Sequence, residues 1–241
     1  MIAAIKSARE NNTPFLGICL GMQMAVVEYA RHVCSLDAAS SVEFNEQTKE
    51  PVVIHMPEID RTTMGATQRL GLRPTHFGQD TQWSKIRALY SEPSPLVTNG
   101  ATNEPRANGT LEETLTNGAT TCTPPSTPPS PLIINERHRH RYEVNPAYVD
   151  RLTKAGLRFI GKDDKEERME ILELKDHRWF VGVQFHPEYL SRVLKPSKPY
   201  LGFVAASAGV LQQVMLRGGR GRRGMVSLEE EEGEGVEGVG M

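Results

Sequence analysis

A cysteine with a glycine two residues away on either side constrains this chain more than any other feature of its sequence. It lies in the run Gly17-Ile18-Cys19-Leu20-Gly21, after an apolar stretch of strand length at 14–18 and before strong helix formers at 22–32. Such a run between a strand and a helix predicts a sharp turn that holds the nucleophile above a sheet. The positive end of the following helix favours the thiolate, the reactive form of cysteine. Taken alone, Cys19 can also be interpreted as a buried, inert core residue.

A second candidate group, His186-Pro187-Glu188, follows the apolar run at 179–185. A strand would deliver His186 at its carboxyl end, where α/β sheets build their sites. Pro187 restricts the backbone, and Glu188 can accept a hydrogen bond from one imidazole nitrogen while the other faces a thiol. With Cys19, the group predicts a triad of nucleophile, base and orienting acid. Alone, it would be interpreted as a surface turn.

Helices and strands alternate along the chain, which predicts the α/β class with an open, mostly parallel sheet flanked by helices. Because the chain starts inside a helix, we expect the first β-unit of such a sheet to be missing. Asn145 and Pro146 are typical of a helix start and Gly156 of a helix end, and 162–165 predicts a hairpin turn. The predicted elements are helices over 2–10, 22–32 and 146–155 and strands over 14–18, 52–56, 157–160, 169–174 and 179–185.

The chain is predicted to form one domain over 1–216 with a disordered insertion and a disordered tail. The insertion, 91–131, is rich in Pro, Thr, Asn and Gly and repeats Asn-Gly-Ala-Thr at 99–102 and 117–120. The tail, 217–241, joins a basic RGG-like run to an acidic one. Neither composition buries enough apolar surface to offset the entropy of ordering.

Charge and cysteine content exclude several protein classes. The net charge is −2, from 28 basic and 30 acidic residues. This balance excludes a globally basic nucleic-acid binder and argues against a nucleic-acid partner. Three cysteines without C-x-x-C spacing exclude a disulfide scaffold and a cysteine-rich zinc module, so no metal ligand is assigned. No apolar stretch approaches the roughly 20 residues of a membrane helix, which predicts a cytoplasmic protein without membrane contact.

The runs PFLGICLGMQ and GVQFHPE resemble the signature pair of class I glutamine amidotransferases. The runs SVEF, MGATQRLGLRPT, ERHRHRYEVNP and FVGVQFHPEYLSRVLKP are similar, more narrowly, to the glutaminase domain of the CTP synthase family. The resemblance covers nearly all of 1–90 and 132–208 and implies a flavodoxin-like amidotransferase fold. It does not cover the predicted insertion or the tail.

The resemblance implies roles for named residues. Cys19 would attack the side-chain amide of L-glutamine, His186 would be base and then acid, and Glu188 would orient His186. The implied glutamine-binding residues are Leu20, Gly21, Met22, Gln23, Glu43 and Arg141. The charges agree, because free glutamine is a zwitterion whose ammonium suits Glu43 and whose carboxylate suits Arg141. The alternating run 137–141 would otherwise be interpreted as a solvated strand face or a phosphate patch.

The resemblance also implies partners. An amidoligase domain or subunit would bind UTP, ATP and magnesium and use the ammonia to make CTP, and the full-length protein would be a homo-oligomer. No cofactor is expected in this chain, and no phosphate-binding loop pattern occurs in it. Because the family's oxyanion loop would precede residue 1, we expect weak or no activity from the chain alone. The alternatives are a cysteine peptidase or γ-glutamyl hydrolase of similar fold and a catalytically dead binding or regulatory fragment.

Overall fold

The computed structural model describes residues 1–57, 69–91 and 131–216. The predicted insertion, apart from its end residues 91 and 131, and the predicted tail lie outside the described residues. Nothing therefore tests the predicted division into a domain, an insertion and a tail. Within the described part, no helix is both long and apolar enough to cross a membrane.

Helices and strands alternate over residues 2–32 as predicted, whereas further along the chain two or three strands follow one another directly. The helices are α1 (Ile2–Glu10), α2 (Leu20–His32), α3 (Lys85–Tyr90), α4 (Pro146–Lys154), α5 (Lys198–Ser207) and α6 (Leu211–Leu216), with a 3-10 helix at Pro187–Tyr189. The strands are β1 (Phe15–Ile18), β2 (Ala39–Ser41), β3 (Glu50–His55), β4 (Arg69–Phe77), β5 (Ile133–His140), β6 (Tyr142–Val144), β7 (Leu157–Lys162), β8 (Met169–Leu174) and β9 (Phe180–Val183).

The predicted ends of α4 are confirmed. The Asn145 side chain accepts a hydrogen bond from the Ala147 N–H at 3.1 Å, and Pro146 occupies the first turn. Gly156 follows the helix with a φ of +113°, a conformation that residues with a Cβ rarely adopt. Local capping chemistry therefore places this helix as the sequence predicts.

The larger sheet has the strand order β1-β9-β8-β7-β4-β5, and a smaller sheet has the order β2-β3-β6. The prediction of a mostly parallel larger sheet is wrong, because only β1 and β9 pair in parallel within it and the sheet is mixed. The reason lies in the connections. Short links at 163–168 and 175–179 join β7 to β8 and β8 to β9, and such links allow only antiparallel neighbours, whereas parallel neighbours need a crossover.

Both faces of the larger sheet are covered by apolar side chains, which explains why β9 is buried along its whole length. Phe180 faces the core formed with α1, α2 and α4, whereas Val181 and Val183 face the core formed with α3, α5 and α6. The predicted α/β class with flanking helices is thus confirmed. The order of the strands also makes β1 and β9 neighbours, although they are far apart in sequence.

Candidate active site

Cys19 lies on a strained turn between β1 and α2, as the glycine spacing predicts. Its φ is +51° and its ψ is −103°, a conformation that costs a non-glycine residue about 1–3 kcal/mol. The Cys19 N–H donates to the Val183 carbonyl of β9 at 2.7 Å, which holds the turn on the sheet. A Cβ on Gly17 would lie 2.7 Å from the backbone of Gly21, so glycine is required at position 17. A Cβ on Gly21 would have no atom within 4 Å.

His186 emerges just after the neighbouring strand. Because β1 and β9 run in parallel, with Ile18 opposite Val183, the residues that follow them meet at one edge of the sheet. The His186 N–H donates to the Arg137 carbonyl at 2.8 Å, and the 3-10 helix that follows carries Glu188. His186 Nδ1 lies 2.7 Å from Glu188 Oε1. Since a carboxylate only accepts, Nδ1 is the donor and Nε2 is left as the basic nitrogen.

A cavity of about 350 Å³ opens at Cys19. Its lining residues are Cys19, Leu20, Gln23, Glu43, Arg139, His140, Arg141 and Tyr142. Glu43 follows β2, where its N–H donates to the Ser41 hydroxyl at 3.2 Å, and Arg141 lies between β5 and β6. The cavity therefore combines a thiol, an acidic side chain and basic side chains from distant parts of the chain.

The other predicted residues are absent from the lining of this cavity. Met22 is fully buried and packs against Gly182, and Gly21 is absent from the lining. His186 and Glu188 are also outside the lining, although the charge of Glu188 reaches Cys19. Whether these residues act on a substrate remains a prediction.

The electrostatic surroundings of Cys19 oppose its ionisation. Burial raises the pKa of the thiol above its ordinary value, and the negative charges of Glu43 and Glu188 raise it further. Hydrogen bonds from the Leu20 N–H and the Gln184 side chain act in the opposite direction but do not reverse the shift. The thiol is therefore protonated at neutral pH and needs a base to become a nucleophile.

The chain matches a known protein family over most of its described residues. The profile of the family described as Glutamine amidotransferase class-I matches residues 1–98 and 128–206. The chain belongs to this family. The matched residues include both the turn at Cys19 and His186.

Several curated proteins similar to this chain are CTP synthases. It is 50% identical over 218 residues to CTP synthase from Schizosaccharomyces pombe, a match that covers 90% of this chain and 30% of the relative. It is 45% identical over 217 residues to CTP synthase 1 from Saccharomyces cerevisiae, covering 89% of this chain and 31% of the relative. The chain thus spans about a third of the length of these relatives.

A solved structure shares the amidotransferase fold. The glutaminase domain of Trypanosoma brucei CTPS, determined with bound acivicin, superposes with a TM-score of 0.65 at 34% identity. The match covers 86% of this chain and 65% of the other. Together with the α/β sheet described above, it confirms the predicted amidotransferase fold class.

Sequence reasoning missed Gln184, whose side chain contacts Cys19. Its side chain is only 1% exposed, and its Nε2 donates to Cys19 Sγ at 3.6 Å. One signal was available, because Gln184 and His186 are two residues apart at the end of a strand, where alternate side chains share a face. It also missed Arg139, His140 and Tyr142 as lining residues.

A buried polar cluster lies beside the amidotransferase cavity. His138, His140 and Glu170 are close enough together to hold a metal ion. However, the facing nitrogens of the two imidazoles are 3.2 Å apart, and Arg69 lies 3.4 Å from Glu170. Burial lowers the pKa of His140 to about 4 and raises that of Glu170 to about 8. We assign no metal here, because the His138 and His140 imidazoles already pair with each other and the Arg69 guanidinium lies beside the Glu170 carboxylate. His138 Nε2 and both Glu170 carboxylate oxygens are buried without a hydrogen-bond partner among the described residues.

Proposed function

We propose that this chain is a glutaminase that releases ammonia from L-glutamine through Cys19. The observation that carries the proposal is that Cys19, Glu43 and Arg141 share one cavity of about 350 Å³. The thiol supplies a nucleophile, and the two charges suit the two ends of a free amino acid. A peptide substrate lacks those free ends at an internal glutamine, which disfavours a peptidase.

Recognition follows from charge. The ammonium of glutamine pairs with Glu43, and its carboxylate accepts hydrogen bonds from the Arg141 guanidinium. Leu20 and Gln23 line the same cavity and contact the side chain of the substrate, with Gly21 and Met22 forming the turn behind them. The two ion pairs to the ammonium and carboxylate groups of glutamine direct its carboxamide towards Cys19.

The chemistry uses Cys19, His186 and Glu188 as a triad. Cys19 Sγ forms a bond to the carboxamide carbon while its proton passes to His186 Nε2. That proton then goes to the departing nitrogen, the carbon–nitrogen bond breaks, and ammonia leaves behind a γ-glutamyl thioester. Water attacks the thioester with His186 as base, the carbon–sulfur bond breaks, and glutamate and the thiol are regenerated. Glu188 holds His186 through Nδ1, which leaves Nε2 to take up and return the proton.

The ammonia is consumed by a second catalytic unit, as the similarity to CTP synthases supports. We propose that an amidoligase domain binds UTP, ATP and magnesium and aminates UTP to CTP, in a cytoplasmic homo-oligomer. The chain itself needs no cofactor for glutamine hydrolysis.

Covalent labelling tests the proposal. The purified chain is treated with an electrophilic ketone analogue of L-glutamine, and labelled cysteines are mapped by mass spectrometry. We expect modification at Cys19, protection by L-glutamine but not by glutaminyl peptides, and little reaction at buried Cys34 or at Cys122. Cys19→Ser is the control. Equal labelling of all three cysteines, or no protection by L-glutamine, would overturn the proposal. Labelling is decisive because it needs only the nucleophile and its cavity.

A further inference from the structure

The side chain of Gln184 is buried between β9 and Cys19, and both its backbone and its side-chain amide are held by hydrogen bonds. Its backbone N–H donates to the Glu170 carbonyl at 2.9 Å, which fixes the residue on the sheet. Its Nε2 lies 3.6 Å from Cys19 Sγ, and its Oε1 lies 3.2 Å from Gln23 Nε2. Because the residue is only 1% exposed, these contacts are shielded from water.

A backbone carbonyl determines which way both amides point. The Tyr142 carbonyl can only accept, so the Gln23 atom 3.1 Å from it must be the nitrogen. That same nitrogen faces Gln184, so the Gln184 atom that meets it is the oxygen. The Gln184 nitrogen must then face the sulfur of Cys19. The orientation of both amides therefore follows from this series of donors and acceptors.

We propose that Gln184 is a further catalytic residue of this site, donating an N–H to the Cys19 sulfur and stabilising its thiolate, and that Gln23 is the positioning residue that aims it. The role rests on the proposed glutaminase function. Gln23 lines the cavity, yet its amide nitrogen donates to two protein acceptors, the Tyr142 carbonyl and Gln184 Oε1. A positioning role for Gln23 explains this arrangement.

The thiolate needs such a donor because its surroundings are unfavourable to negative charge. Burial, Glu43 and Glu188 all oppose ionisation, and the Leu20 N–H and Gln184 favour it. An amide stabilises the anion without adding a charge that would attract the substrate carboxylate. The donor acts twice in the cycle, when the thiol loses its proton and when the thiolate leaves the thioester.

The size of the effect follows from the strength of a hydrogen bond to a charged group. Losing one raises the pKa of the thiol by about 1 to 2 pH units. For each pH unit of that rise, the thiolate population at neutral pH falls about tenfold, while the remaining thiolate becomes about threefold more nucleophilic. The alkylation rate at neutral pH should therefore fall about threefold for each pH unit by which the pKa rises.

The pH dependence of Cys19 alkylation by iodoacetamide, followed on the full chain by peptide mass spectrometry, tests the role. Gln184→Met keeps the length but removes the donor, and Gln184→Glu keeps the shape but repels the thiolate once ionised. Both should move the midpoint upwards by about 1 to 2 pH units, and Gln23→Met by less. The exposed Gln212→Met is the matched control and should leave the midpoint unchanged. Unchanged midpoints in the Gln184 variants would overturn the proposal.

The wild-type chain provides a second measurement if a Gln184 variant fails to fold. The side-chain amide proton of Gln184 should shift in an NMR titration with the midpoint of the Cys19 thiol, and the shift should vanish after Cys19 is alkylated. A Gln184 amide signal that does not shift as the Cys19 thiol titrates would contradict the contact. Iodoacetamide carries no amino-acid group, so a failed glutamine-analogue experiment would refute the proposed function while leaving the Gln184 result interpretable.

Discussion

Oε1 of Glu188 lies 2.7 Å from Nδ1 of His186, and the same carboxylate raises the pKa of Cys19. Glu188 thus has two opposed effects. It holds the imidazole in place through its contact with Nδ1, and it disfavours the Cys19 thiolate. Separate measurements can distinguish the two.

Glu188→Gln should separate these effects. Loss of the negative charge weakens the hydrogen bond that orients His186, so ammonia release from L-glutamine, which we expect to be weak for this chain alone, should fall by roughly tenfold to a hundredfold. The pKa of Cys19 should fall as well, because one cause of its elevation is removed, so iodoacetamide should react faster at pH values below that pKa. If the rate of ammonia release and the rate of reaction with iodoacetamide both fell, Glu188 would be acting mainly as a structural residue.

Glu43→Gln should lower the pKa of Cys19 and weaken glutamine binding. The Glu43 charge raises this pKa, so its removal moves the alkylation midpoint to lower pH. The substrate ammonium loses its partner, so more L-glutamine is needed to protect Cys19. Glu46→Gln, an exposed acid three residues away, is the control. A higher alkylation midpoint for Cys19, or unaltered protection of Cys19 by L-glutamine, would contradict the assigned position of Glu43.

Gly17→Ala should destabilise the chain, whereas Gly21→Ala should not. A Cβ at residue 17 meets backbone at 2.7 Å, and backbone cannot move aside as a side chain can, which costs about 1–3 kcal/mol in the free energy of unfolding. A Cβ at residue 21 enters open space in the first turn of α2, with an expected change of about 0.5 kcal/mol or less. Denaturant unfolding compares the two variants, and equal destabilisation would contradict this description of the turn.

Local features were the ones that the sequence predicted well. The turn at Cys19 depends on neighbouring residues, as does the Asn145 cap of α4. The alternation along β5 was also readable, since His138 and His140 are buried while Arg137 and Arg139 are exposed. This result favours the solvated-face interpretation for those two arginines, although Arg139 also lines the cavity.

Features that depend on distant segments were harder to predict. The directions of the strands depend on which segments pair, so a mixed sheet was mistaken for a mostly parallel one. Glu43 and Arg141 were placed by family resemblance, because no local pattern brings a loop after β2 to β5 and β6. Gln184 was missed because a lone amide has no motif, and its role depends on Gln23 and Tyr142.

Comparing two electrophiles at two cysteines tests most directly whether Cys19 lies in a glutamine-binding cavity. The rate constant for the glutamine-analogue ketone is divided by that for iodoacetamide, at the same pH, for Cys19 and Cys34. We predict a ratio at Cys19 that is at least about tenfold above the ratio at Cys34, since a charge-assisted contact contributes about 1.5–3 kcal/mol. The higher ratio at Cys19 should be lost in Arg141→Met and retained in Arg137→Met. Equal ratios at the two cysteines, or a ratio indifferent to Arg141, would contradict this prediction.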